Sequence, residues 1–77
     1  MSLMLYKRSS FIRWLTNKKG CEVYPLKRTN VMIIENGIAK AQMWINPKDL
    51  IDYEEISLLC QKLYLELPGD KDLVKSE

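Results

Sequence analysis

Apolar and polar residues alternate most regularly in NVMIIENGIAKAQMWIN, residues 30–46, where two β-rich runs flank Asn36-Gly37. That dipeptide is the preferred centre of a two-residue type I′ turn, so the pattern predicts a hairpin. In this register Glu35 pairs with Ile38, Ile34 with Ala39, Ile33 with Lys40, Met32 with Ala41 and Val31 with Gln42. Successive side chains of a strand point to opposite faces. One face then carries Met32, Ile34, Ala39, Ala41, Met43 and Ile45, with alanines small enough for a helix to approach closely. The other carries Val31, Ile33, Ile38, Lys40, Gln42 and Trp44. If helices cover the first face, the second leaves a contiguous apolar strip edged by an aromatic ring and a lysine, the kind of strip that marks a contact surface.

Helical spacing appears on either side of the hairpin. Ser9 and Ser10 are good N-cap residues, and Phe11, Ile12, Trp14 and Leu15 follow at helical intervals, which predicts a short helix over residues 10–18 with Trp14 in the core. Lys18 and Lys19 suit its C-terminal dipole, and Gly20 can adopt the left-handed conformation that closes it. CEVYPL reads as a short strand that Pro25 confines to a sheet edge. After Pro47, Asp52 and Glu55 form an aspartate version of the capping box. Ile56, Leu59, Cys60, Leu63 and Leu67 then form one apolar stripe of a long helix, with Leu58, Tyr64 and Leu65 partly off it and Pro68-Gly69 as its stop. The fold class expected is α+β in the order α-β-β-β-α, a three-stranded antiparallel meander with two helices on one face. Residues 1–68 form the single small domain and 69–77 a flexible polar tail. Met1, Ser2 and Leu3 carry no weight in this reading.

Composition adds limits. A chain of 77 residues builds only a small core, so dimerisation would help it. No apolar stretch approaches the ~20 residues that a membrane span needs. Cys21 and Cys60 fall on different elements, without CxxC spacing and in a chain with no histidine, so they are expected as reduced, packed apolar groups in a cytoplasmic protein, with no metal and no cofactor. The net charge of +2 conceals an asymmetry, because residues 1–28 sum to +6 and residues 29–77 to −4. Segregated basic charge suits phosphate contact, and it equally suits a charge-complementary dimer.

The layout resembles the HicA-like messenger-RNA interferase toxins of toxin–antitoxin systems, whose fold is similar to double-stranded-RNA-binding domains. The residues carrying the resemblance are the first helix ending at Lys19-Gly20, Arg28-Thr29-Asn30 ahead of VMII, and the Pro47-Lys48-Asp49-Leu50 link, spanning about residues 9–65. In that family a glycine-serine-histidine signature supplies the catalytic histidine. Here the resemblance places Thr29 at the serine and Asn30 at the histidine, and an asparagine cannot shuttle protons near neutral pH. The resemblance therefore implies an RNA-binding module without the family's cleavage chemistry.

No other constellation argues for an enzyme. Asp49, Asp52, Glu54 and Glu55 cluster as helix-capping and dipole-facing carboxylates would, and Cys60 has no base beside it. Catalytic residues are therefore none. Two binding readings follow. In the first, Lys18, Lys19, Lys27, Arg28, Thr29, Asn30 and Lys40 contact RNA while Trp44, or Tyr24, stacks on bases. In the second, the chain is a homodimer or takes a small protein partner through Val31, Ile33, Ile38 and Trp44.

Overall fold

The computed structural model describes residues 4–76; Met1, Ser2 and Leu3 of the expected domain, and Glu77 of the expected tail, lie outside the described residues. The elements are β1 (Leu5–Lys7), α1 (Arg8–Arg13), a π-helical segment (Trp14–Lys18), β2 (Glu22–Pro25), β3 (Val31–Asn36), β4 (Ala39–Trp44), β5 (Leu50–Asp52) and α2 (Tyr53–Lys62). Strands β2, β3 and β4 form the expected antiparallel meander, with the Pro25-containing strand at one edge. β1 and β5 make a second, two-stranded antiparallel sheet that the sequence pattern does not predict, since three-residue strands are too short for alternation to register.

The hairpin forms, with its turn one residue later than expected. Gly37 and Ile38 are the central residues, and Asn36 pairs with Ala39. Only Gly37 of the two has positive φ, at +63°, which matches the type II′ demand for glycine at the first central position alone. This choice frees Asn36, whose side-chain amide donates to the Leu63 carbonyl at 2.7 Å and ties the turn to the end of α2. Each cross-strand pair shifts by two residues, giving Met32 with Met43, Ile34 with Ala41, Ile33 with Gln42 and Val31 with Trp44. A slip of two, unlike a slip of one, leaves every side chain on its face. Ile34, Ala41 and Met43 are accordingly buried beneath the helices. Ile38 leaves the strip and sits fully exposed at the turn.

The first helix starts at Arg8 rather than Ser10, and neither serine caps it. Ser10 donates its hydroxyl back to the Lys7 carbonyl at 2.7 Å, while Ser9 bonds Asp49 through both its amide (2.9 Å) and its hydroxyl (2.6 Å). The capping carboxylate thus comes from the link before β5. Downstream the helix widens. Lys19 N–H reaches the Trp14 carbonyl five residues back at 3.3 Å, and the Thr16 hydroxyl bonds the carbonyls of Ile12 and Arg13, competing with the α ladder. Gly20, at φ +67°, closes the segment as the pattern predicts. Phe11, Trp14 and Leu15 are buried, and the Phe11 and Trp14 rings stack at 5.9 Å.

Asp52 caps α2 by accepting from the Glu55 amide at 2.7 Å, and Ile56, Leu59, Cys60 and Leu63 face the core, both as expected. The stop comes earlier than Pro68. Leu65 N–H bonds the Cys60 carbonyl and Tyr64 N–H the Gln61 carbonyl, a Schellman closure with Tyr64 in the left-handed region at φ +57°. Leu67 therefore lies outside the helix and is half exposed. Tyr64 is 86% exposed, so its left-handed backbone is strained with little burial in return. Tyr64→Gly is expected to stabilise the fold by about 0.5–1 kcal/mol, read as a raised denaturant midpoint with an unchanged slope.

Residues 70–76 are the largest departure from expectation. Rather than forming a tail apart from the domain, they run beside β1. Lys75 bridges to Tyr6, Lys7 N–H bonds the Val74 carbonyl at 2.7 Å, and Ser76 N–H bonds the Leu5 carbonyl at 3.0 Å. Leu73 enters the same core cluster as Tyr6, Phe11, Trp14, Ile51 and Leu63. An edge strand offers its free amides and carbonyls to whatever can pair with it, and Leu73 alone anchors this segment in the core, Val74 remaining half exposed. Cys21 and Cys60 are free and buried, and burial pushes the Cys60 thiol up to about 11.

Candidate functional site

Three strands covered by helices on one side leave the other side open. In strand order, its rows are Glu22–Glu35–Lys40, then Tyr24–Ile33–Gln42, then Val31–Trp44. Trp44 is 69% exposed. Beside it the β2–β3 loop carries Lys27 and Arg28, the latter in the left-handed region at φ +65°. The face is apolar and aromatic at this end and charged at the other. At the charged end the Tyr24 hydroxyl donates to Glu35, which also pairs with Lys40 at 3.6 Å. The bond to Glu35 raises the Tyr24 pKa, with burial and nearby negative charge adding to the shift.

The RNA-contact residues predicted from sequence are not gathered in one place. Lys18 and Lys19 precede β2, whereas Lys27 and Arg28 follow it, so the two pairs sit at opposite ends of that strand. Lys18 is engaged by Asp72 at 3.2 Å, and the Lys19 ammonium lies 5.5 Å above the Trp14 ring. Thr29 builds the loop, donating its hydroxyl to the Leu26 carbonyl at 2.8 Å and accepting from the Val31 amide. Asn30 is exposed, and its carbonyl receives the Ile45 amide at 2.8 Å. Folding also brings the acidic half onto the basic half. Arg8 donates to the Asn46 and Lys48 carbonyls and lies 3.9 Å from Asp49, so the +6 of the first segment is partly offset in space. Of the interface residues, Val31, Ile33 and Trp44 lie on the same face, but of these three only Trp44 is well exposed: Val31 is buried and Ile33 half-buried, while Ile38 tips the turn.

The outer edge of β4 is a second feature of this surface. A two-residue turn makes Asn36–Ala39 a hydrogen-bonded pair, and the Ile45–Asn30 bond continues the same alternation, so Ala39, Ala41 and Met43 bond toward β3. The backbone groups of Lys40, Gln42 and Trp44 point outward and have no backbone partner among the described residues. All three residues are exposed.

A cavity that sequence reasoning missed lies on the helical side. It has a volume of about 280 Å³ and is lined by Ser10, Arg13, Trp14, Asn17, Lys18 and residues 71–74. Its helical wall, Ser10, Arg13, Trp14, Asn17 and Lys18, follows helical spacing, but the wall opposite is a segment that reads as a tail, so no local signal announces the cavity.

Two carboxylates at these junctions are poised to respond to acid. The Ser9 hydroxyl holds Asp49 below the usual carboxylate range, and the Gly69 amide, followed by Lys18, does so for Asp72. A carboxyl with a lowered folded-state pKa stabilises the fold at pH above its unfolded value, and that stabilisation is lost as pH falls through the folded value. Glu55 is shifted upward by burial and by Asp52, so it acts in the opposite sense. The thermal midpoint is expected to fall on acidification below about pH 4, with a smaller fall in Asp49→Asn.

Comparison with protein-family models, with curated proteins and with solved structures gives no match.

Proposed function

We propose that this protein is a binding module rather than an enzyme, and that its open sheet face and β4 edge join a second copy of the chain. The observation that carries the reading is Trp44, an exposed indole at the end of an unpaired edge strand on an uncovered apolar face. The outward row of β4 is self-complementary. Antiparallel pairing of two β4 strands about a two-fold axis at Gln42 sets Gln42 against its own copy and Lys40 against the partner's Trp44, twice. The outward amides and carbonyls of residues 40, 42 and 44 are the groups this register pairs. A cross-strand ammonium–indole contact contributes about 0.5–1 kcal/mol, and the alternative register about Lys40 would set like charges together. The result is one six-stranded sheet, which also enlarges a core too small to be very stable alone.

Light scattering over a concentration and salt series tests this reading. A mass of two chains that persists as salt rises is the expected result, and a single-chain mass at every concentration overturns it. One observation favours a second reading, contact with single-stranded RNA: the loop bearing Lys27 and Arg28 leads into β3 at Val31, the cross-strand partner of Trp44, so phosphate-binding charge and a stacking ring lie at the same end of the sheet. Binding to a mixed RNA pool that falls steeply with salt and disappears on charge reversal of Lys27 and Arg28 would support it. It would also support the HicA-like resemblance.

A further inference from the structure

We propose that the cavity between the π-helical segment and residues 71–74 binds a compact phosphate-bearing anion. Independently of the sheet face, four features of the site converge on this chemistry.

The lining carries three cations, Arg13, Lys18 and Lys71, against one carboxylate, Asp72. Asp72 is already engaged, accepting from the Gly69 amide at 2.8 Å and from Lys18 at 3.2 Å, so it leaves the excess positive charge to Arg13 and Lys71. Neither of these has an ion-pair partner among the described residues. Trp14 supplies the fourth feature. It is only 4% exposed and lines the cavity, yet its indole N–H makes no hydrogen bond within the described chain. That nitrogen is nonetheless not sealed from solvent, since no side-chain nitrogen or oxygen is enclosed without a partner. Water can satisfy that donor in the free protein, and a ligand oxygen entering the cavity that Trp14 lines can take the water's place.

Ser10, Arg13, Trp14, Asn17 and Lys18, spaced i, i+3, i+4, i+7 and i+8, present one helical face to the cavity. A guanidinium recognises phosphate oxygens through a fixed fork of donors, and ammonium groups add charge without strict direction. The volume admits a phosphate with a small carrier, such as a sugar phosphate, and it lies just below the ~300 Å³ at which pockets for larger ligands begin.

The test uses the full chain with Trp44→Phe, which leaves Trp14 as the only indole. Its fluorescence is titrated at constant ionic strength with inorganic phosphate, with a sugar phosphate, and with short oligoribonucleotides bearing a 5′-phosphate or a 5′-hydroxyl. A saturable change with inorganic phosphate or the sugar phosphate is expected. A stronger response to the 5′-phosphorylated oligonucleotide would identify the phosphate as a nucleic-acid end, and equal or weaker response would identify a free small molecule. Arg13→Gln and Lys71→Gln, both solvent-facing changes whose folding is checked by circular dichroism, should each weaken binding about tenfold. No saturable change with any probe up to about 10 mM overturns the proposal, as does unchanged affinity in both variants.

Discussion

Truncation after Gly69 is expected to cost the domain a large part of its stability. It removes Leu73 from the core, and loss of a buried leucine side chain costs about 2–5 kcal/mol where the surroundings cannot collapse into the space. It also strips β1 of its hydrogen bonds to Val74 and Ser76 and uncovers Tyr6, which is almost wholly buried. The Lys18–Asp72 pair adds little, being exposed. A chain of this size has roughly 4–12 kcal/mol of stability in total, so a loss of ~3–5 kcal/mol brings unfolding close to room temperature. Chemical denaturation followed by circular dichroism reads this directly. Leu73→Ala, which keeps the backbone bonds, should lose about 2–3 kcal/mol and retain a cooperative transition. An unchanged midpoint in both would mean that residues 70–76 do not belong to the fold.

That segment shows where the sequence stopped being legible. The hairpin, the faces of its side chains, the edge position of Pro25, the Asp52 cap and the Ile56–Leu59–Cys60–Leu63 stripe all follow from local rules, because period, capping and turn chemistry operate within about ten residues. Contacts that close the chain on itself leave no local trace. Asp49 reads as one of a carboxylate cluster ahead of the last helix, and its partner is Ser9, forty residues earlier. Leu73 reads as an isolated apolar residue in DKDLVKSE, although pairing with β1 makes it part of the core. The turn falls one residue later than the pattern predicts because Asn-Gly and Gly-Ile offer two turn types over the overlapping positions 35–38 and 36–39, and Asn36 is drawn toward Leu63 by a bond that only the tertiary structure reveals.

The candidate site was half legible for the same reason. Alternation alone places Val31, Ile33 and Trp44 on one face, and both registers agree on this because they differ by two. The basic cluster was not legible. Grouping Lys18 and Lys19 with Lys27 and Arg28 rests on nearness in sequence, and a strand between them converts that nearness into separation. What unites the site is geometric: an open face, an unpaired β4 edge and an aromatic ring where they meet.

Gln42→Pro is expected to convert the proposed two-chain form wholly to single chains. In the β4 pairing about Gln42, this amide and its symmetry copy form the central pair of bonds, and proline removes both while setting two rings against each other across the axis. The same amide points away from β3, so the bonds that hold β4 in its own sheet are untouched, and proline is tolerated on an edge strand when its missing N–H faced solvent. The substitution therefore separates association from folding, which Trp44→Ala does less cleanly because Trp44 is the cross-strand partner of the buried Val31. Sedimentation or light scattering should give the mass of one chain at concentrations where the unaltered protein gives two, a shift in dissociation constant of at least about a hundredfold. Circular dichroism should still report a folded α+β domain. If the variant stays folded and keeps the mass of two chains, the β4 edge is not the contact; an interface formed by the Val31–Ile33–Trp44 face alone would then predict that Trp44→Lys, and not Gln42→Pro, separates the copies.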